Sequence, residues 1–154
     1  MKLDFYFIHG WGFDKSFWSP VCKKIEENQL SRITRIIDLG FLSEKKKLNY
    51  NLQQIDSKSI FIVHSFGLNW FLKKQIKCGA LINFFGVPNF LKLQNNPITT
   101  EKKVRQMIEN FSTEPSVVLK NFYRKCNVFY NQKKEINIDQ CIKALNEFDG
   151  VMIG

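Results

Sequence analysis

The sequence has only two histidines, His9 and His64, and none after residue 64. Histidine is the side chain that most often serves as a general base near neutral pH. Chemistry that needs an imidazole must therefore draw on one of these two or on a group from elsewhere. The sequence also lacks any C-x-x-C pair. Its four cysteines, Cys22, Cys78, Cys126 and Cys141, stand too far apart for a zinc spacing, so no metal and no cofactor is expected. No apolar run approaches the roughly 20 residues needed to cross a bilayer. The start, Met1-Lys2-Leu3-Asp4, runs into a short apolar stretch interrupted by His9, which is not the pattern of a signal peptide. These absences predict a cytoplasmic protein without a membrane partner, with Cys22 and Cys141 as buried free thiols. There is no internal repeat and no low-complexity tract.

What is present is a globular composition. The 154 residues are 44% hydrophobic and 24% charged, enough for one ordinary core. Fifteen phenylalanines and three tryptophans are available to fill that core or an apolar pocket. The net charge is +9, from thirteen basic against seven acidic residues over 1–89 and ten against seven over 90–154. The excess is spread out, and the one tight run, Lys45-Lys46-Lys47, reads as a solvated loop. Such a surface attracts anionic partners. No nucleic-acid motif accompanies it and the charge is not gathered on one element, so nucleic acid is not the expected partner.

Four short runs rich in β-branched and aromatic residues predict buried parallel strands: Phe5 to Ile8, Ile33 to Ile37, Ile60 to Val63 and Ala80 to Phe85. Between them, Phe17, Trp18, Val21, Cys22 and Ile25 mark one helical face, with Ser16 as its N-cap and Pro20 in the first turn. Leu68, Phe71, Leu72 and Ile76 mark a second. Alternating strands and helices imply an α/β fold, a parallel sheet with flanking helices. After Gly86-Val87-Pro88 the pattern becomes purely helical. Val104, Met107, Ile108 and Phe111 mark one helix, capped by Thr100. Val118, Phe122 and Cys126 mark the next, opened by Glu114-Pro115. Ile138, Cys141, Ile142, Leu145 and Phe148 mark the last, with Asn137 as cap and Gln140 three residues on. Residues 1–89 thus form a β/α core and residues 90–150 a helical segment.

Val63-His64-Ser65-Phe66-Gly67 sits where the third strand meets a helix. A serine on such a turn is a nucleophile elbow, G-x-S-x-G in its usual form, here with Val63 at the first small position. The helix N-terminus beneath Ser65 favours negative charge developing there. His9-Gly10-Trp11-Gly12 follows the first strand. A loop in this place supplies one backbone N–H to an oxyanion hole, and the residue after the serine supplies the other. That assigns the donors to Trp11 and Phe66. Gly10 and Gly12 let the loop turn toward the serine, and His9 pins it by hydrogen bonds. The side chain of His64, preceding the serine, is expected to point away from it.

With these residues the chain resembles the α/β-hydrolase superfamily, and within it the pimeloyl-[acyl-carrier protein] methyl ester esterases of biotin synthesis. The similarity rests on Phe7-Ile8-His9-Gly10-Trp11-Gly12, on Trp18, on Asp38-Leu39-Gly40-Phe41-Leu42-Ser43 after the second strand, on the elbow at Ser65, and on the helical stretch Val104 to Cys126. That stretch is similar to the family's lid. The resemblance implies a partial α/β-hydrolase fold and a serine carboxylesterase that cleaves an ester on a carrier-protein-bound acyl chain. It also implies that basic lid residues grip the acidic carrier: Lys102, Lys103, Arg105, Lys120, Arg124 and Lys125. In the family the acid and the catalytic histidine follow the lid, and this sequence has no histidine there. The expectation is a truncated or two-piece enzyme, inactive alone and completed by a separate C-terminal polypeptide. The alternative is a non-catalytic relative that binds an acyl chain or carrier protein.

Overall fold

The computed structural model describes residues 2–42, 52, 55–129 and 134–150, the last three of these by backbone alone. Ser43, the Lys45–Lys47 run and the Phe148 side chain lie outside the described residues. The described chain forms two compact units: residues 2–39, 52 and 55–88 in one, and residues 40–42, 89–129 and 134–150 in the other.

The first unit is an α/β layer structure. Strands β1 (Leu3–Ile8), β2 (Ser31–Ile37), β3 (Ser59–His64) and β4 (Ala80–Phe84) form one sheet in the order β2-β1-β3-β4, every pair parallel. Helix α1 (Ser19–Glu27) covers one face: Trp18 and Cys22 pack on Phe7 and Ile62, with Phe5, Ile36 and Ile60 around them. Helix α2 (Phe66–Lys73) covers the other. Its Phe71 ring lies 5.1 Å from Phe61, which stacks on Tyr6 at 4.9 Å. Phe7, Ile8, Phe61 and Val63 are wholly buried, each worth roughly 1.5–3 kcal/mol relative to exposure. Burial of this kind on both faces is why β1 and β3 read as unbroken apolar runs.

Strand β4 departs from the expectation of burial. All five of its residues are exposed, Leu81 at 38%, Ile82 at 45% and Phe84 at 45%. It is the edge of the sheet, and its outer side has no strand partner among the described residues. An apolar run predicts a strand; it does not predict whether a neighbour covers it.

Helix ends differ in detail from the sequence pattern. Asp14, not Ser16, is the first cap: its carboxylate accepts the Ser16 N–H at 3.0 Å and opens a 3-10 turn, Lys15–Phe17. Helix α1 then starts at Ser19 without a side-chain cap, Pro20 in its first turn. Helix α2 stops at Lys73, and Gln75 takes a left-handed φ of 52°, so Ile76 lies past the helix.

In the second unit, α3 (Pro97–Thr113) packs against both α4 (Pro115–Lys125) and α5 (Ile138–Gly150). The cap of α3 is Asn96, not Thr100; its Oδ1 accepts the Thr99 N–H at 3.0 Å, just ahead of Pro97. Asn137 caps α5, accepting the Gln140 N–H at 3.2 Å. The unit buries Phe111, Leu119, Tyr123, Cys141, Ala144 and Leu145. Phe41, also buried, is tied to α5 by its carbonyl, which accepts the Asn137 N–H at 2.9 Å. No described helix is long and apolar enough to cross a membrane.

Candidate active site

The parallel pairing sets Ile8 beside Val63, so the carboxyl ends of β1 and β3 lie next to each other. From these ends the chain enters His9–Gly12 on one side and Ser65 on the other, where ligands of open parallel sheets sit.

Ser65 occupies φ 51°, ψ −119°, a conformation that residues with a Cβ rarely adopt. Holding it costs on the order of 1–3 kcal/mol, and such strain persists only where the surroundings enforce it. Here they do. The Ser65 N–H donates to the Phe84 carbonyl at 2.9 Å, and its own carbonyl accepts the Leu68 N–H at 3.0 Å, starting α2. Gly67 permits the close approach of α2 to β1: a Cβ there would lie 2.8 Å from the Ile8 carbonyl oxygen. Val63 does not prevent the turn and sits fully buried in the sheet. The N-terminus of α2 places a partial positive charge beside the hydroxyl.

The loop after β1 lies on this turn. A Cβ on Gly10 would come within 3.1 Å of the Ser65 Cβ, so only glycine allows the contact. Gly12 takes φ 75°. Trp11 directly follows Gly10 and Phe66 directly follows Ser65, and both are buried.

His9 is completely buried and both ring nitrogens are engaged. Nε2 accepts the Leu39 N–H at 2.9 Å, which leaves the proton on Nδ1 to donate to the Gly10 carbonyl at 2.9 Å. The imidazole therefore ties the loop to the end of β2. The Asp38 carboxylate stands 3.3 Å from Nε2, beyond the usual range for a good hydrogen bond. His64 stacks on Phe17 at 4.4 Å, with the edges of Phe13 and Phe85 around it. Its Nδ1 is buried without a hydrogen-bond partner among the described residues. Burial lowers the His64 pKa below its ordinary value. No hydrogen bond among the described residues joins either imidazole to the Ser65 hydroxyl.

The thiols are poor alternatives as nucleophiles. Burial pushes Cys22 up to about 11 and Cys141 up to about 12, and it raises Cys78 and Cys126 as well. Among the described residues no group of three or more histidine, cysteine or carboxylate side chains could hold a metal ion.

The six basic residues of α3 and α4 differ in their surroundings. All are exposed. Arg105 is paired with Glu101 one turn away, Nε to Oε1 at 2.9 Å. Lys103 and Lys125 line a common groove, whereas Lys102, Lys120 and Arg124 do not. Sequence reasoning gave no role to Asp38, or to the aromatic wall of Phe13, Phe17 and Phe85. Asp38 carried a signal, an acidic residue directly after a predicted strand. The aromatic wall had none, because its members come from three separate segments.

Comparison of the chain with protein-family models, with curated proteins and with solved structures gives no match.

Proposed function

We propose that these residues form the nucleophile half of a serine carboxyl ester hydrolase, with Ser65 as nucleophile and the Trp11 and Phe66 backbone N–H groups as its oxyanion donors. The observation that carries the reading is the backbone of Ser65. A non-glycine residue held at φ 51°, ψ −119° between a strand and a helix, against a glycine loop, is strained backbone that its surroundings enforce. It is the turn that presents a serine hydroxyl for attack on a carbonyl.

In the reaction the Ser65 Oγ adds to the ester carbonyl and the negative charge moves to the carbonyl oxygen, facing the two N–H donors and the α2 N-terminus. The alcohol leaves, and water then releases the acid. The substrate class follows the sequence resemblance: a methyl ester on an acyl chain borne by a carrier protein. The hydroxyl needs a base to take its proton. His9 has spent both nitrogens on the backbone, and His64 is packed among aromatic rings. In this reading the base is a group other than these two imidazoles, and a complementing polypeptide is one source of it. The outer edge of β4, unpaired among the described residues, lies beside the elbow, since Phe84 O receives the Ser65 N–H, and it offers a place for a complementing polypeptide to add strands.

The test is Ser65→Cys, because a thiol is a usable nucleophile without a base and a helix N-terminus lowers its pKa. With a short-chain nitrophenyl ester the variant should release one equivalent of nitrophenolate per chain, at least tenfold faster than the parent's own thiols. The acyl group should map to position 65. Acylation there no faster than at the exposed Cys126 would exclude the reading.

A further inference from the structure

We propose that the groove between α3 and α4 binds a single-chain amphiphile with an anionic head, specifically a medium- to long-chain carboxylate. The proposal is independent of the Ser65 reading, because the groove lies wholly within the helical unit.

The helix pair has two apolar sides. One holds Phe111, Leu119 and Tyr123, all buried. The other presents Val104 and Met107 from α3 and Val118 and Phe122 from α4, each only half-buried. They line an open groove of about 490 Å³. That volume falls within the range of small-molecule sites, roughly 300–1,000 Å³, and favours a small ligand over a docked helix.

The charge around the groove selects the head group. Among the described residues its ionisable lining consists of Lys103 and Lys125, with no carboxylate. Among the described residues neither ammonium forms an ion pair, whereas nearby Arg105 is held by Glu101. Lysine stems lie along apolar surface and carry the charge to its rim. A chain seated on Val104, Met107, Val118 and Phe122 would thus meet two cations at the rim.

The experiment is calorimetric titration of the full chain with octanoate, decanoate and dodecanoate below their micelle concentrations. Affinity should rise about fourfold per methylene until the groove is filled, as expected for burial of hydrocarbon. Dodecanol and dodecyltrimethylammonium should bind at least tenfold more weakly than dodecanoate. A double variant, Lys103→Gln with Lys125→Gln, should lose the preference for carboxylate over alcohol and keep the chain-length dependence. As a measurement that needs no variant, dodecanoate should shift the methyl resonances of Val104, Met107 and Val118 in the parent. The proposal is overturned by absence of dodecanoate binding, by methyl shifts confined to other residues, or by an unchanged carboxylate preference in the double variant. Binding of an acidic amphipathic peptide without binding of dodecanoate would also overturn it and make the groove a protein-docking surface.

Discussion

Gly10 lies directly against Ser65, with room for no side chain between them: a Cβ on Gly10 would stand 3.1 Å from the Ser65 Cβ and 2.8 Å from His64 Nδ1. The loop after β1 and the turn after β3 therefore form one packed arrangement. Gly10→Ala should destabilise the chain by about 1–3 kcal/mol, as overpacking does. Gly67→Ala should cost at least as much, since the added methyl meets the backbone oxygen of Ile8 at 2.8 Å. Urea unfolding checks both. A cost within 0.5 kcal/mol for each would show that the loop and elbow are loosely packed.

His9 should matter for stability more than for proton transfer. His9→Ala removes the imidazole acceptor of the Leu39 N–H and one of the two donors to the Gly10 carbonyl, which keeps the Phe13 N–H at 3.3 Å. Each hydrogen bond lost costs about 0.5–1.5 kcal/mol. The expected outcome is a marked loss of unfolding free energy, with faster amide exchange at Leu39. An unchanged exchange rate at Leu39 would mean that another group supports the loop.

Two features predict how stability varies with pH. Asp4 is buried at the start of β1, and its carboxylate accepts two hydrogen bonds from Arg32, Nε to Oδ1 at 2.8 Å and Nη2 to Oδ2 at 2.5 Å. The Arg32 fork holds the Asp4 pKa below the ordinary carboxylate value. The folded state therefore binds this proton less readily than the unfolded state. The stabilisation is complete above the unfolded pKa of about 3.9 and is lost as pH falls through the folded value. Asp4→Asn should lower the melting temperature at pH 7, and its difference from the parent should shrink toward pH 2. A constant difference across that range would remove the ion pair from the account.

The His64 pKa is lowered chiefly by burial. Its unfolded form takes up a proton near pH 6.5, while the folded form does so only at lower pH. Stability from this residue is thus present above about pH 6.5 and declines as pH falls below it. His64→Gln should flatten the stability profile just below about pH 6.5. A profile of unchanged slope would mean that the ring titrates normally in the folded chain.

Much of the core was legible because its signals are local. The runs ending at Ile8 and Val63 carry strand identity and burial together, whereas the run ending at Ile37 carries strand identity with only Ile37 buried, and S-x-G at Ser65 marks a strand-to-helix turn. The Asn137 cap and the Pro115 start of α4 were equally local. The cap of α3 was not, because Asn96 and Thr100 both offer a suitable oxygen and only the backbone path from Pro97 decides between them. The exposure of β4 was illegible, since burial depends on what lies beside a strand. The Arg105–Glu101 pair is local, four residues apart on one helix, but that Lys103 and Lys125 line one groove was hidden, because it depends on how two helices pack.

The most direct test of the account is the rate of nitrophenyl ester hydrolysis by the purified 154-residue chain, measured beside Ser65→Ala. The account holds that Ser65 is positioned but not activated. Loss of the base in a triad enzyme costs on the order of 10⁶ in turnover. Parent and Ser65→Ala should therefore hydrolyse the ester at rates within a few-fold of each other. Turnover by the parent at ordinary enzyme rates, about 1–1,000 per second, and abolished by Ser65→Ala, would contradict the account and show that a base within the chain reaches Ser65.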